Sequence, residues 1–194
     1  MTELVFATNN PHKLQELREI VGHKFKILSL DDIGCHDDIP ETAPTIEGNA
    51  VMKAAWVKRH YHYDCFSDDT ALEIDALGGE PGVHSARYAT NGHDSEANIR
   101  KVLTKLQGVP AEKRTARFRT AVALLEGNTL TVFEGKVEGH ILTERHGDDG
   151  FGYDPIFQPD EADGRTFAQM TPEEKNAISH RGRAVRKLVD YLLS

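Results

Sequence analysis

Short apolar runs and amphipathic stretches alternate along the first third of the chain. Apolar residues fill positions 4–7 and most of positions 26–30, which predicts two buried strands. Apolar positions recur at helical spacing after Pro11 and again across residues 45–61, which predicts a helix in each place. The acidic, proline-containing segment 35–44 reads as a loop. This part of the chain is therefore expected to alternate strands with helices.

The remaining pattern predicts a hairpin and three more helices. Residues 117–125 and 129–137 alternate between apolar and polar positions around a glycine and an asparagine, which is typical of a β-hairpin. Helical spacing covers residues 93–106 and the C-terminal stretch 185–192. Thr171, with proline next and glutamate three residues on, has the signature of a capped helix start. The chain contains neither an internal repeat nor a linker.

The loop between the first strand and the first helix carries residues suited to phosphate. It reads Thr8-Asn9-Asn10-Pro11-His12-Lys13, with Asn10 as the helix cap and proline at the first helical position. The amides and the positive dipole end of such a helix attract phosphate, and Lys13 adds a charge one turn in. The alternative is an ordinary capped helix without a ligand, and this segment alone does not decide between the two.

Two adjacent carboxylates, Asp68 and Asp69, are the most prominent acidic feature. A buried strand is predicted to end just before them, and the chain then runs through a short alternating segment into the glycine-rich loop 78–82. Paired carboxylates can hold a hard cation such as Mg²⁺, which takes oxygen ligands and keeps several waters. The same pair can instead form a turn, because aspartate accepts hydrogen bonds from nearby backbone N–H groups.

Two other stretches carry side chains that could contact a nucleotide. Lys53 lies on the predicted second helix and either points into a cleft or is solvated, as most helical lysines are. Residues 151–157 read Phe-Gly-Tyr-Asp-Pro-Ile-Phe. Their aromatic rings either anchor the loop in the core or offer faces on which a base can stack.

Composition narrows the class of protein. The 194 residues suit a single domain, and the 39% hydrophobic and 28% charged fractions are those of a soluble globular chain without a membrane-spanning run. No basic, apolar leader precedes the first strand, and the two cysteines, Cys35 and Cys65, lack metal-type spacing, so we expect a cytoplasmic protein with free thiols. A net charge of −8 argues against broad binding to nucleic acid.

A set of segments follows the order and spacing of one enzyme family. They are Thr8 to Lys13, Glu41-Thr42, Asn49-Ala50 with Lys53-Ala54, Asp68-Asp69, residues 77–82 with 85–88, residues 151–157 and residues 174–182. Together they closely resemble the inosine triphosphate pyrophosphatase family. The resemblance implies hydrolysis of deaminated purine nucleoside triphosphates (ITP, dITP, XTP and dXTP) to the monophosphate and pyrophosphate, with Mg²⁺. It also implies an elongated α/β fold in one domain over residues 1–194, with a mixed twisted sheet, flanking helices and two lobes around a central nucleotide-binding cleft, and a homodimer.

The resemblance also assigns roles to residues. Asp69 is expected to be the catalytic base and a metal ligand, supported by Glu41 and Asp68. The triphosphate is expected to bind the Thr8 to Lys13 segment, with Lys53 nearby and Thr70 beside the catalytic aspartate. The predicted base pocket consists of Phe151, Gly152, Tyr153, Asp154, Lys175, His180 and Arg181, with an aromatic ring stacked on the base and His180-Arg181 near O6. Adenine would leave donors that face O6 of a 6-oxo purine unpaired, at about 1–3 kcal/mol each, so ATP is expected to be rejected.

Three positions depart from the usual pattern of that family. Thr70-Ala71 stands where Ser-Gly is frequent, Gly48 where a glutamate usually precedes Asn-Ala, and Ala43 where glycine is common. Because Gly48 removes a carboxylate, a non-catalytic nucleotide-binding or regulatory module is a competing hypothesis. A pyrophosphatase of broader specificity, acting on pyrimidine or methylated triphosphates, is a second alternative. Metal-dependent release of pyrophosphate separates an enzyme from a binding module.

Overall fold

The apolar runs of the sequence meet in one mixed β-sheet with helices packed on it. The computed structural model describes residues 3–194. Its strands are β1 (Glu3–Phe6), β2 (Lys26–Leu28), β3 (Cys65–Ile74), β4 (Pro81–Gly82), β5 (Thr115–Glu126), β6 (Thr129–Ile141) and β7 (Phe157–Pro159). Its α-helices are α1 (Pro11–Val21), α2 (Ile46–Tyr61), α3 (Ser95–Lys105), α4 (Pro172–Ile178) and α5 (His180–Leu193). None of these helices is long and apolar enough to span a bilayer.

The sheet combines parallel and antiparallel pairs. Its strand order is β2-β1-β3-β5-β6-β7, and β4 pairs with β3 outside this path. Strand β1 runs parallel to both β2 and β3, whereas the β3–β4 and β6–β7 pairs are antiparallel. The expected mixed α/β architecture is therefore confirmed.

The chain forms two compact units. The first unit comprises the chain up to Asp69, Thr120–Gly135 and Arg181–Ser194, and the second comprises Thr70–Arg119 and Lys136–His180. Strands β3, β5 and β6 contribute residues to both units. That the two units fold as one domain stays a prediction.

In the first unit the sheet is covered on both faces. Leu4 and Phe6 of β1 belong to an apolar cluster that includes residues of α1 and α5. The alternate residues Val5 and Ala7 belong to a second cluster, with residues of α2. Because successive side chains of a strand point to opposite faces, a strand buried on both faces reads as the continuous apolar run found in the sequence.

In the second unit the sheet has one apolar and one charged face. The apolar face packs against α3 and the loops before α4 in a single cluster that contains Leu72, Phe118 and Phe157. The charged face carries Arg117, which lies 3.1 Å from both Asp75 and Glu138. An antiparallel sheet with one solvated face produces the alternation that the hairpin sequence displays.

Local sequence signals predicted several elements correctly. The hairpin is confirmed as β5 and β6, joined by two residues. Asn10 caps α1, and Thr171 caps α4 in a capping box with Glu174. The second strand ends at Leu28, two residues before its predicted end.

The prediction that the third strand ends before Asp68 is wrong. Strand β3 continues through both aspartates to Ile74, and the glycine-rich loop after it returns to pair with it as β4. A strand can bury an aspartate here because cationic side chains from other elements pair with it, which the local pattern does not reveal.

Candidate active site

The two adjacent carboxylates of β3 are directed to opposite faces of the strand. Phe66 packs in the cluster with α1 and α5, and Asp68, two residues on, contacts those same helices. Cys65 packs in the cluster with α2, and Asp69 accepts a hydrogen bond from that helix. Strand alternation therefore continues through the aspartates and separates their environments.

Asp68 is buried between two cations. Its Oδ1 lies 3.3 Å from Nζ of Lys13 on α1, and its Oδ2 accepts a hydrogen bond from Nε of Arg181 on α5 at 3.1 Å. Arg181 also donates to Glu16 at 2.8 Å. Burial pushes the pKa of Asp68 upward, but Lys13, Arg181 and Lys53 together hold it well below its usual range. Asp68 is therefore a carboxylate that stays ionised.

Lys53 links the backbone of β3 to the acidic loop before α2. Its Nζ donates to the backbone carbonyl of Asp68 at 2.6 Å and lies 2.7 Å from Oε1 of Glu41. The residue is only 7% exposed, so of the two alternatives left open for Lys53 the solvated one does not hold. Asp68 is therefore contacted by three cations, Lys13, Lys53 and Arg181, which we call the three-cation cluster.

Asp69 is held by a neutral donor. Nδ2 of Asn49 on α2 donates to its Oδ2 at 3.2 Å. Burial raises the pKa of Asp69, and the negative charges of Glu41 and Asp68 add to this effect, while Lys53 and Lys13 oppose it. The neighbouring aspartates thus have pKa values shifted in opposite directions, a difference that commonly separates the roles of paired carboxylates.

The residues present around Asp69 fit a hard divalent cation. Asp69 and Glu41 supply carboxylate oxygens. Burial raises the pKa of Asp69 and the charge of Glu41 adds to this effect, so a cation would favour the ionised form of both carboxylates. Within residues 3–194, no three His, Cys, Asp or Glu side chains form a complete metal cage. Two carboxylates are sufficient for Mg²⁺, which usually binds one or two of them together with substrate phosphates and water.

Side chains of the loop before α1 accept hydrogen bonds from backbone amides of the loop and of the first helical turn. Oδ1 of Asn10 accepts hydrogen bonds from the amides of His12 at 2.9 Å and Lys13 at 3.3 Å. The hydroxyl of Thr8 accepts from the amide of Asn10 at 3.1 Å. Burial lowers the pKa of Lys13, and the charge of Asp68 counteracts this. Asn9 precedes the helix cap Asn10, and Pro11 is the first residue of α1.

In the second unit, Asp154 holds together the aromatic loop, residues 151–157. It is buried, and its Oδ2 accepts hydrogen bonds from the amide of Phe151 at 3.0 Å and from Nζ of Lys175 at 2.7 Å. Nζ of Lys175 also lies 4.6 Å from the ring centre of Phe151. Gly150 has a φ of 74°, and a Cβ there would lie 2.3 Å from Oδ2 of Asp154, so the turn needs glycine. Gly152 follows with a φ of 61°.

Two aromatic residues predicted for base binding are part of the core. Tyr153 is 6% exposed, and its hydroxyl donates to the carbonyl of Ser85 at 2.6 Å. His180 stacks on Phe118, with ring centres 4.6 Å apart and planes inclined by 20°. The half-buried Phe151 is the predicted aromatic residue whose ring is most accessible for stacking. Its use in base binding stays a prediction.

Comparison with known proteins identifies the family. The sequence profile of the Ham1 family matches residues 4–191 of the chain. The chain belongs to the Ham1 family. A protein of Porphyromonas gingivalis, named dITP/XTP pyrophosphatase, is 53% identical over 193 residues that cover 100% of this chain and 98% of the relative. A protein of the same name from Bacillus subtilis is 47% identical and covers 99% of this chain and 98% of its own length.

Solved Ham1 structures share the fold. A HAM1 protein of Coxiella burnetii matches with a TM-score of 0.89 and 37% identity, over 100% of this chain and 99% of that one. The Ham1 protein of Staphylococcus aureus matches with a TM-score of 0.87 and 35% identity, over 98% of both chains. The expected family membership and the mixed α/β fold are therefore confirmed.

The residues predicted for the active site form two groups in the structure. Glu41, Asp68, Asp69 and the three-cation cluster come together in the first unit. Phe151, Asp154 and Lys175 come together in the second unit. Arg181, which was predicted for the base pocket, has its guanidinium on Asp68 in the first unit. Thr70 directly follows Asp69 and is half-buried.

Two residues that contact this site had no role in the prediction from sequence. Asn49 donates to Asp69, and Glu16 pairs with Arg181. Helical spacing could have indicated both, because Asn49 precedes Lys53 by four residues and Glu16 follows Lys13 by three. Each therefore shares a helix face with a lysine that was already predicted for the site.

Proposed function

We propose that this chain hydrolyses deaminated purine nucleoside triphosphates, ITP, dITP, XTP and dXTP, to the nucleoside monophosphate and pyrophosphate. The observation that carries the proposal is the pair of carboxylates on β3. Asp68 is held by Lys13 and Arg181 at 3.3 and 3.1 Å, whereas Asp69 is held by the neutral amide of Asn49. The name that the Porphyromonas and Bacillus relatives share, dITP/XTP pyrophosphatase, supports the same substrate class.

The three-cation cluster would bind the triphosphate. The net charge of the protein is −8, so a polyanion needs local positive charge, and Lys13, Lys53 and Arg181 supply it. Asp68 keeps two of these cations in fixed positions through its ion pairs. Cations that are already oriented stabilise negative charge on a leaving pyrophosphate without further reorganisation.

Asp69 and Glu41 would hold the Mg²⁺ that the family resemblance implies. When bound, the ion supplies positive charge that neutralises phosphate oxygens and makes nearby water more acidic. A direct contact between Asp68 and the metal also stays a prediction. Both carboxylate oxygens of Asp68 already pair, one with Lys13 and one with Arg181.

Asp69 would act as the general base. It accepts a proton from the water that attacks the α phosphorus, while the bond from that phosphorus to the bridging oxygen breaks and pyrophosphate leaves. Beside a bound Mg²⁺ its carboxylate would stay ionised, so Asp69 would be a weak base acting on a water that the ion makes more acidic. Oδ2 is tied to Asn49, so Oδ1 is the oxygen suited to take the proton.

Residues of the second unit would recognise the base. Lys175 is a buried donor next to the ring of Phe151, and the O6 atom of hypoxanthine or xanthine is an acceptor. Adenine carries an amino group at that position and would leave such a donor unpaired, at about 1–3 kcal/mol. ATP is therefore expected to be a poor substrate.

The test is pyrophosphate release from ITP, XTP, GTP and ATP, with Mg²⁺ and with EDTA, by wild type, Asp69→Asn and Asp64→Asn. Asp64 is the matched control because it pairs with Lys58 just before β3, outside the proposed site. Metal-dependent release from ITP and XTP should be lost in Asp69→Asn and retained in Asp64→Asn. Tight binding of ITP without turnover would instead favour the regulatory module, and equal turnover of ATP would contradict the base-recognition argument.

Two further expectations belong to the proposal. The resemblance implies a homodimer, which analytical ultracentrifugation of the purified chain would detect as twice the monomer mass. The cytoplasmic location expected from the sequence is tested by cell fractionation. A monomer at micromolar concentration, or a membrane-bound protein, would contradict the respective expectation.

A further inference from the structure

The side chain of Asn49 is buried and makes two hydrogen bonds, one as acceptor and one as donor. Asn49 is on the first turns of α2, and the residue is 3% exposed. Its Oδ1 accepts the backbone N–H of Ala43 at 2.9 Å, and its Nδ2 donates to Oδ2 of Asp69 at 3.2 Å. A backbone N–H can only donate, so the amide has one orientation, with its NH₂ toward Asp69.

The neutrality of this donor suits the carboxylate that it holds. A lysine or arginine in the same position would form an ion pair and cancel the charge of Asp69, as happens to Asp68. An amide restrains the carboxylate group and leaves its charge available for a cation or a proton. Lys53, one turn further along α2, binds the backbone of Asp68 instead. Helix α2 thus positions both aspartates, by different means.

The start of α2 leaves little space for a side chain at position 48. A Cβ added at Gly48 would lie 2.8 Å from Cβ of Ala43 and 3.1 Å from Oγ1 of Thr45. Ala43 therefore fills the space that a side chain at 48 would need, and its N–H is held against Asn49. Two of the three departures noted in the sequence, Ala43 and Gly48, are thus one paired change.

We propose that Asn49 is a positioning residue that orients the carboxylate of Asp69 for the reaction, through an amide fixed by Ala43. The inference rests on the proposed function, in which Asp69 is the base. It adds a residue that acts through Asp69 and does not itself touch the substrate.

The contact itself is tested without any activity measurement. The side-chain NH₂ signals of Asn49 in a ¹⁵N-correlated NMR spectrum should shift in Asp69→Ala and stay in place in Asp64→Ala. An unshifted Asn49 signal in Asp69→Ala would overturn the proposal. This readout remains valid even if the wild type released no pyrophosphate, a result that would defeat the proposed function alone.

The role in the reaction is tested by kinetics with ITP and Mg²⁺. Asn49→Ala should lower kcat by about 100-fold, as expected when a reacting group loses its alignment, and change KM by less than about threefold, because the three-cation cluster is intact. The matched control is Asn98→Ala. Asn98 is also buried on a helix and also accepts a backbone N–H, from Ala89 at 2.8 Å, but it donates to the backbone carbonyl of Ala86.

Two comparisons separate a positioning role of Asn49 from a purely structural one. Asn98→Ala should lose stability in urea to a similar extent as Asn49→Ala, yet keep kcat within about threefold of the wild type. Asn49→Asp preserves the size and the acceptor for Ala43 but turns an oxygen toward Asp69, so its kcat should fall at least as far as that of Asn49→Ala. Equal kcat losses in Asn49→Ala and Asn98→Ala, or a fully active Asn49→Asp, would overturn the proposal.

Discussion

At the scale of single residues, the partner of a carboxylate decides its chemistry. Asp68 and Asp69 are neighbours in sequence, and each is largely removed from water. Two cations hold the first in its ionised form, whereas the second is held by an amide and has a raised pKa. Burial favours the neutral form of both carboxylates, and only Asp68 faces enough positive charge to reverse that shift of its pKa.

Replacing Asp68 should destabilise the protein in a pH-dependent way. Asp68→Asn leaves Lys13 without its partner carboxylate, and we expect a loss of about 3 kcal/mol in the free energy of unfolding near pH 7. The folded-state pKa of Asp68 lies below its ordinary value of 3.8. The wild type therefore gains this stability above that pH and loses it as the pH falls further, so the difference between the proteins should narrow in acid.

Urea unfolding of both proteins at pH 7, 5 and 3 measures that difference. Asp64→Asn is the control, because its ion pair with Lys58 is partly exposed and should contribute less than about 1 kcal/mol. A deficit in Asp68→Asn that is as small as in the control, or that grows in acid, would contradict the prediction.

At the scale of elements, helix starts were predictable because their signals are local. Asn10 and Thr171 cap helices through bonds to amides two or three residues away. The continuation of β3 was not predictable, because the burial of Asp68 depends on Lys13 and Arg181, which are 55 and 113 residues away in sequence. The core position of Tyr153 likewise depends on Ser85, 68 residues earlier.

The start of α2 offers a test of the paired change at 43 and 48. Gly48→Ala should cost about 1–3 kcal/mol through crowding against Ala43, offset in part by the better helix propensity of alanine. In an Ala43→Gly background most of that crowding is absent. Unfolding free energies of the two single variants and the double variant should therefore be non-additive, with a coupling of about 1–2 kcal/mol. Additive effects would show that the two positions are independent.

At the scale of the whole molecule, the chain passes from one unit to the other at four points, after Asp69, Arg119, Gly135 and His180. Three of these points lie within strands. Unfolding of one unit would break strands that the other unit also uses. We therefore expect one cooperative transition, as predicted for a single domain.

Two probes measure this cooperativity. The single tryptophan, Trp56 on α2, reports on the first unit by fluorescence. Hydrogen exchange of α3 reports on the second unit. The two probes should give the same urea midpoint, and separate midpoints would mean that the units unfold independently.

Because β3 runs without interruption, the site depends on the number of residues in this strand. Side chains change face at every residue, so one residue added or removed between Cys65 and Asp68 would exchange the faces of all the residues that follow. Asp69 would then face Lys13 and Arg181, and Asp68 or Thr70 would face Asn49. Only changes by an even number of residues keep each carboxylate on its own face of the strand. The spacing within this strand is therefore as much a part of the site as the identity of its residues.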